Sequence, residues 1–380
     1  MIYLDHNATT PVDAAVLEAM MPYFTHKYGN AASTAHRFGW VAADAVALAR
    51  ERVAMLLNCE PNEITFTSGA TESINMALKG VFEVYQTKGK HIVTVATEHK
   101  AVLDVCIGLE QRGAQVTYLP VDATGLIDLT DLEQAITPET ILVCVMMVNN
   151  ETGVIQPIEA IGRLCKERGV LFMSDITQAV GKLPFDVQAL GIDIAPLSAH
   201  KMYGPKGVGA LYLRRRGPRV KLTPMIEGGG HENGLRSGTL NVPGIVGLGM
   251  SAELAAETQA DYFNNTLHLR QMLEKTLLAL PDTRLNGHAG LRLPNTSNIS
   301  FGGIRPGGLL KSLSDTVAVS SGSACTSALM EPSYVLKAMG VADELAYNSI
   351  RFSLGRKSTE AKIIEVTTLV QQLLESLRNG

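Results

Sequence analysis

The stretch ILVCVMMVNNETGVIQPIEAIGRLCKERGVLFMSD (141–175) decides the fold. Its first eight residues are apolar without alternation, which fits a strand covered on both faces. Ile158 to Arg168 then shows helical spacing, and VLFMSD (170–175) reads as a second strand. Strand, crossing helix and strand make a βαβ unit, and such units build mostly parallel sheets. Working outward, the same alternation runs from about residue 63 to 215. HIVTVA (91–96) reads as a strand, Ala101 to Arg112 as a helix and QVTYLP (115–120) as a strand, with further strands over 192–197 and 208–213. Sheets of this kind take ligands beyond the carboxyl ends of their strands.

Past residue 215 the character changes. A glycine-rich polar loop runs from Glu227 to Gly238, and a long helix is predicted from Val242 to about Leu280. Strands follow at TSNISF (296–301), near Thr316 to Val319 and at SIRFSL (349–354), with short helices between them and a C-terminal helix. The expected fold is α/β: a large domain with a mostly parallel sheet flanked by helices, plus a smaller α+β domain. The division expected is 12–257 for the large domain and 1–11 with 258–380 for the small one.

Composition bounds the function. Of 380 residues, 46% are hydrophobic and 18% charged, which supplies a packed core and excludes a disordered chain. The net charge of −4 argues against a strongly basic nucleic-acid surface, and no apolar run approaches the roughly 20 residues of a membrane span. MIYLDHNATT at the start lacks the pattern of a secretory signal, so a soluble cytoplasmic protein with reduced thiols is expected. The five cysteines, Cys59, Cys106, Cys144, Cys165 and Cys325, are odd in number and widely spaced, with no CxxC pair; neither a disulfide framework nor a metal site is expected. His6 and His36 lie in polar N-terminal segments and need no metal. Met146 and Met147 read as core, and the Arg214–Arg216 run as a solvated face.

Three segments carry chemistry. In SDITQAVGK (174–182) and SAHKMYGPKGVGAL (198–211), Asp175 ends a buried strand and Lys201 sits in a polar turn between two apolar strands. A lysine held at a sheet end can have a depressed pKa and form a Schiff base, and an aspartate at a neighbouring strand end can pair with a pyridinium nitrogen. These are the residue types of a pyridoxal phosphate site; an ordinary surface lysine is the alternative. TFTSGATESIN (65–75) supplies a strand, a tight turn at Gly69 and a helix from Thr71, whose first N–H groups could hold a phosphate or merely be capped.

Ten segments then bear a resemblance that runs from end to end. They are YLDHNATTPV (3–12), YGNAAS (28–33), FTSGATESIN (66–75), TEHKAV (97–102), NNETGVIQPI (149–158), SDITQAVGK, SAHKMYGPKGVGAL, GGGHENGLRSGTLN (228–241), SSGSACTS (320–327) and SIRFSLGR (349–356). With them the chain resembles the class V aminotransferase-like enzymes of the type I pyridoxal phosphate fold, and specifically the cysteine desulfurases of the NifS/IscS kind. The resemblance implies that Lys201 binds the cofactor as an imine, Asp175 keeps its ring nitrogen protonated and Gln178 bonds its ring hydroxyl. His99 would stack on the ring and help move protons, and Asn150 would line its edge. Ala70, Thr71, Ser198 and His200 would hold the phosphate. Thr239 would reach the phosphate of a partner subunit, making the active unit a homodimer. Asn30 and Arg351 would bind the carboxylate of L-cysteine.

Cys325 discriminates within the family. It lies among small residues in SSGSACTS, which predicts a mobile loop able to approach the substrate and carry sulfur away as a persulfide. The implied products are L-alanine and sulfur for an iron–sulfur scaffold or other acceptor protein. A selenocysteine lyase, a related aminotransferase and a non-catalytic sulfur-transfer scaffold are the alternatives. Two departures stand out. Ile176 replaces the small residue the family mostly has, and would crowd the cofactor pocket. The sequence also stops at Gly380 just past an amphipathic helix, where scaffold-docking members run longer, which leaves the choice of scaffold open.

Overall fold

A computed structural model describes residues 1–321 and 331–379; Cys325 and its expected loop lie outside the described residues. The strands are β1 (Ile2–Tyr3), β2 (Ile64–Thr67), β3 (His91–Val95), β4 (Gln115–Leu119), β5 (Thr140–Cys144), β6 (Leu171–Met173), β7 (Ile194–Ser198), β8 (Gly209–Leu213), β9 (Thr283–Asn286), β10 (Thr296–Phe301), β11 (Val317–Ala318) and β12 (Ser349–Ser353). Seven of them form one sheet in the order β2-β8-β7-β6-β5-β3-β4. Only β8 runs against its neighbours; the pairs from β7 to β4 are all parallel.

The interior strands explain themselves by burial on both faces. In β5 and just beyond, Val143 and Val145 join one hydrophobic cluster while Leu142 and Cys144 join the other. The first cluster is covered by the helices Arg37–Leu57 and Ile158–Arg168, the second by Ala70–Tyr85 and Lys100–Glu110. Strand β4, at the sheet edge, keeps only Leu119 fully buried. Such two-sided covering is what makes the strand sequences continuously apolar.

Beyond the sheet, the 36-residue helix Val242–Leu277 spans two cores. Its first half places Val242, Ile245 and Leu248 against the large sheet. Its last turns place Leu269, Leu273 and Leu277 with Ile299, Phe301 and Phe352 of a three-stranded antiparallel sheet, β12-β10-β9. Strand β1 pairs in parallel with β11, so the N-terminus enters the smaller unit before crossing to the large one.

Two expectations need correction. The apolar run 141–148 is not one strand: β5 ends at Cys144, although the Val145 and Met147 amides still donate to the Met173 and Asp175 carbonyls at 3.0 Å, and Met146, buried as expected, also lines a cavity. The run Arg214–Arg216 is not simply solvated, since Arg214 is ion-paired to the buried Asp193 at 2.6 Å and the Arg215 amide donates to Glu63 at 2.8 Å.

Candidate active site

The carboxyl ends of β2, β3, β5, β6 and β7 share one edge of the sheet, and a cavity of about 570 Å³ opens there. Ten residues expected from the sequence line it: Ala70, Thr71, His99, Asn150, Asp175, Gln178, Ser198, His200, Lys201 and Arg351. Each of the strand-end residues sits where its strand stops and the backbone turns, which is why unconnected motifs meet.

Lys201 closes the short turn after β7. Its Nζ donates to the backbone carbonyls of Asn7 at 2.6 Å and Ala8 at 2.8 Å. Burial, with Arg351 adding to it, lowers its pKa to about 8, against the opposing pull of Asp175 and Asp5. Asp175 follows β6, and its Oδ1 accepts from the Thr177 amide at 2.9 Å, which orients the carboxylate. His99 caps the helix Lys100–Glu110: its Nδ1 accepts from the Ala101 amide at 3.1 Å, so the proton of the neutral ring belongs on Nε2. Desolvation lowers the His99 pKa, and Asp175 opposes it.

The turn after β2 forms a cradle. Gly69 precedes the helix Ala70–Tyr85, and no side chain caps that end. The helix start, Ser198 and His200 line the same part of the cavity, an arrangement that could hold an anion. His200 is held by Thr9, Nδ1 to Oγ1 at 3.1 Å, and burial followed by the charge of Lys201 lowers its pKa to about 4. Gly209 on β8 permits the turn to sit so close: a Cβ there would lie 2.4 Å from the Leu197 carbonyl oxygen and 2.7 Å from Gly69 Cα. The turn is tied outward as well. The Ser68 amide donates to Glu72 at 2.7 Å, and Arg236 of the glycine-rich loop bonds Glu72 at 2.8 Å.

Arg351 reaches the cavity from β12, with Nη2 on Asp5 Oδ1 at 2.6 Å and Nη1 on the Asn150 carbonyl at 2.9 Å. A lysine, a carboxylate, an imidazole and a guanidinium thus face one volume.

The class-V aminotransferase family model matches residues 2–366. A cysteine desulfurase IscS of Anaeromyxobacter sp. (strain Fw109-5) is 55% identical over 99% of this chain and 93% of that protein. The chain belongs to the class-V aminotransferases, as a cysteine desulfurase of the NifS/IscS kind. A second IscS, of Rickettsia peacockii (strain Rustic), is 50% identical over 99% of this chain and 92% of its own. Among solved structures, a NifS-like protein superposes with a TM-score of 0.92 at 41% identity, covering 99% of this chain and 100% of that one. SspA in complex with cysteine superposes with a TM-score of 0.82 at 37% identity, covering 94% and 100%.

The class-V family depends on pyridoxal phosphate, and the desulfurase cavity fits it. Besides the cradle and the lysine, two buried polar atoms of lining residues, Asn150 Oδ1 and Thr177 Oγ1, have no hydrogen-bond partner among the described residues. Buried polar atoms are normally satisfied, so a polar ligand is the natural partner. Ile176 does not crowd this space. It is wholly buried in the core beneath the sheet edge and does not line the cavity.

Asn30 and Thr239 are exposed and lie outside the cavity of their own chain. Asn30 Oδ1 instead accepts from the Ala32 amide in a local turn. The sequence reading missed Asn7, Ala8, Met146, Thr177 and Lys206 in the lining. The motif YLDHNATTPV held the signal for the first two, since a polar run ahead of the first helix must spend its backbone groups somewhere.

Proposed function

We propose that this desulfurase binds pyridoxal phosphate in the cavity and, with Cys325, removes sulfur from L-cysteine, leaving L-alanine and a persulfide on Cys325. The observation that carries the reading is the convergence of Lys201, Asp175, His99 and Arg351 on one cavity floored by an anion cradle. When bound, pyridoxal phosphate supplies an electron sink for the pair released at the substrate's α-carbon. Lys201 would hold its aldehyde carbon, Asp175 would keep a proton on its ring nitrogen, and the helix start at Ala70 and Thr71 would hold its phosphate with Ser198 and His200.

The chain's own groups would act as follows. Once the substrate's amine has displaced it from the aldehyde carbon, Lys201 Nζ, its pKa lowered to about 8 by burial, would be neutral in a useful fraction of molecules near neutral pH and would take the α-proton. His99 would stack on the ring and help move protons, with the proton of its neutral ring on Nε2. Arg351 would bind the substrate carboxylate. The Cys325 thiolate attacks the substrate sulfur: an S–S bond forms, the C–S bond breaks, and the carbon is protonated and leaves as alanine.

The reading extends to a homodimer in which Thr239 serves the partner's cavity. Exposed Leu17, Met21, Phe24, Phe38 and Trp40, all within one N-terminal stretch, support such an interface. It extends also to cytoplasmic residence, to an iron–sulfur scaffold or other sulfur acceptor, and to domains at 12–257 and at 1–11 with 258–380. Among the described residues, no helix is long and apolar enough to cross a membrane.

Incubating the purified protein with L-cysteine tests this. With an added thiol reductant to cleave the persulfide, alanine and sulfide should appear in equal amounts. Lys201→Ala should lose the visible absorbance of the bound cofactor, and Cys325→Ser should keep it while losing sulfide release. Keto acid in place of sulfide would make the protein an aminotransferase. A marked preference for selenocysteine would make it a lyase, and absence of cofactor absorbance would leave a scaffold.

A further inference from the structure

Lys182 ends the motif SDITQAVGK and takes no part in the chemistry above. It is 2% exposed, in a position where a lysine is rarely placed. Its Nζ donates to Gln178 Oε1 at 2.9 Å and reaches Asn7 Oδ1 at 3.5 Å. Gln178 Nε2 in turn donates to the Asn7 carbonyl at 2.9 Å, the same oxygen that receives Lys201 Nζ at 2.6 Å.

A carboxamide is nearly symmetric in shape, so packing alone does not choose which end faces which neighbour. Here both neighbours choose. Turned over, Gln178 would set its NH2 against the Lys182 amine and its oxygen against the Asn7 oxygen. Donor would meet donor and acceptor would meet acceptor. In the orientation held, Nε2 has two hydrogens and spends one on Asn7. Gln178 lines the cavity, so the second is left for an acceptor bound there. Burying an amine is costly unless it is needed, and burial, with Lys201 and Arg351 adding to it, lowers Lys182 to about 7. Charged, the amine can only donate to Oε1; neutral, it can donate or accept, and the Asn7 carbonyl still selects the N–H end.

We propose that Lys182 is a positioning residue of the cofactor site, fixing the Gln178 amide so that an N–H, not a carbonyl, faces the oxygen acceptor of the bound cofactor. The proposal rests on the pyridoxal phosphate reading above. The full chain, stripped of cofactor, is titrated with pyridoxal phosphate as the parent and as Lys182→Met, Gln178→Ala and the double variant. Dissociation constants and the visible spectrum of the bound cofactor are recorded.

Lys182→Met should weaken binding about tenfold and displace the absorbance maximum. The double variant should bind no worse than Gln178→Ala alone, because the lysine acts through the glutamine. Lys182→Gln, which keeps a donor for Oε1, should lose less than Lys182→Met and retain the parent spectrum. It also carries the test if the methionine variant does not fold. Binding by Lys182→Met within about twofold of the parent, or an undiminished effect in the Gln178→Ala background, would overturn the proposal. So would equal losses for methionine and glutamine. A parent protein that binds no pyridoxal phosphate would instead overturn the underlying reading and the proposal with it, and would show before any variant is compared.

Discussion

Replacing Lys201 by methionine should make the cofactor-free protein more stable at neutral pH. The lysine is held at a pKa of about 8 instead of 10.5, chiefly by burial. That difference corresponds to roughly 3 kcal/mol of penalty on the folded state whenever the amine is charged in both states. Against it stand the bonds to Asn7 and Ala8, each worth about 0.5–1.5 kcal/mol. Partial exposure to the cavity reduces the penalty further, and methionine fills a similar volume. The net gain expected is about 1 kcal/mol.

The sign against pH is fixed. Below about 8 both folded and unfolded chains carry the proton and the penalty is full. Between about 8 and 10.5 the unfolded chain binds more protons, so the parent gains stability as pH rises. Above that range the penalty is gone. Urea unfolding of the stripped parent and Lys201→Met, at pH 7 and at pH 10, should therefore show a gap that favours the variant at pH 7 and narrows or reverses at pH 10. A variant less stable than the parent at pH 7, or a gap that does not move with pH, would refute the reasoning.

Other outcomes follow from single contacts. Gly209→Ala drives a methyl into the Leu197 carbonyl and the Gly69 backbone; overpacking of about 1–3 kcal/mol is expected, with weaker retention of pyridoxal phosphate, read by thermal melting and absorbance titration. Glu232→Ala strips Arg50 of a two-pronged ion pair at 2.7 and 2.8 Å and the Phe66 amide of its acceptor, and should cost about 3–5 kcal/mol in denaturant unfolding. Arg351→Gln should raise the KM for L-cysteine about tenfold or more while changing kcat less, measured by alanine formation.

Sequence and structure agree where side-chain patterning does the work. The parallel strands were legible because residues such as Leu142 and Val143 meet opposite cores, and a strand buried on both faces has no room for polar residues. The strand-end residues Asp175, Ser198 and Lys201 were legible because polar groups interrupt apolar runs there. Asn7 and Ala8 were not, because they serve through backbone carbonyls, which leave no mark in residue type. Lys182 carries no mark in the sequence, since its burial depends on chain segments far from it in sequence. Strand β5 was read too long because the apolar residues after Cys144 continue the hydrophobic pattern, Val145 and Met147 into the core and Met146 and Val148 along the cavity. Asn30 and Thr239 entered through family likeness, and the packing of one chain gives neither a place in the cavity.

The segment Asp5–Thr10 has a consequence for biosynthesis. Asn7 is fastened to Ser353 at 2.9 Å and Asp5 to Arg351, across 346 residues of sequence, and the same segment receives Lys201. While residues 351–353 are still inside the ribosomal exit tunnel, this segment can meet Lys201 and His200 but lacks both of its C-terminal anchors. A chain truncated before residue 351 should therefore hold pyridoxal phosphate less tightly than the full chain.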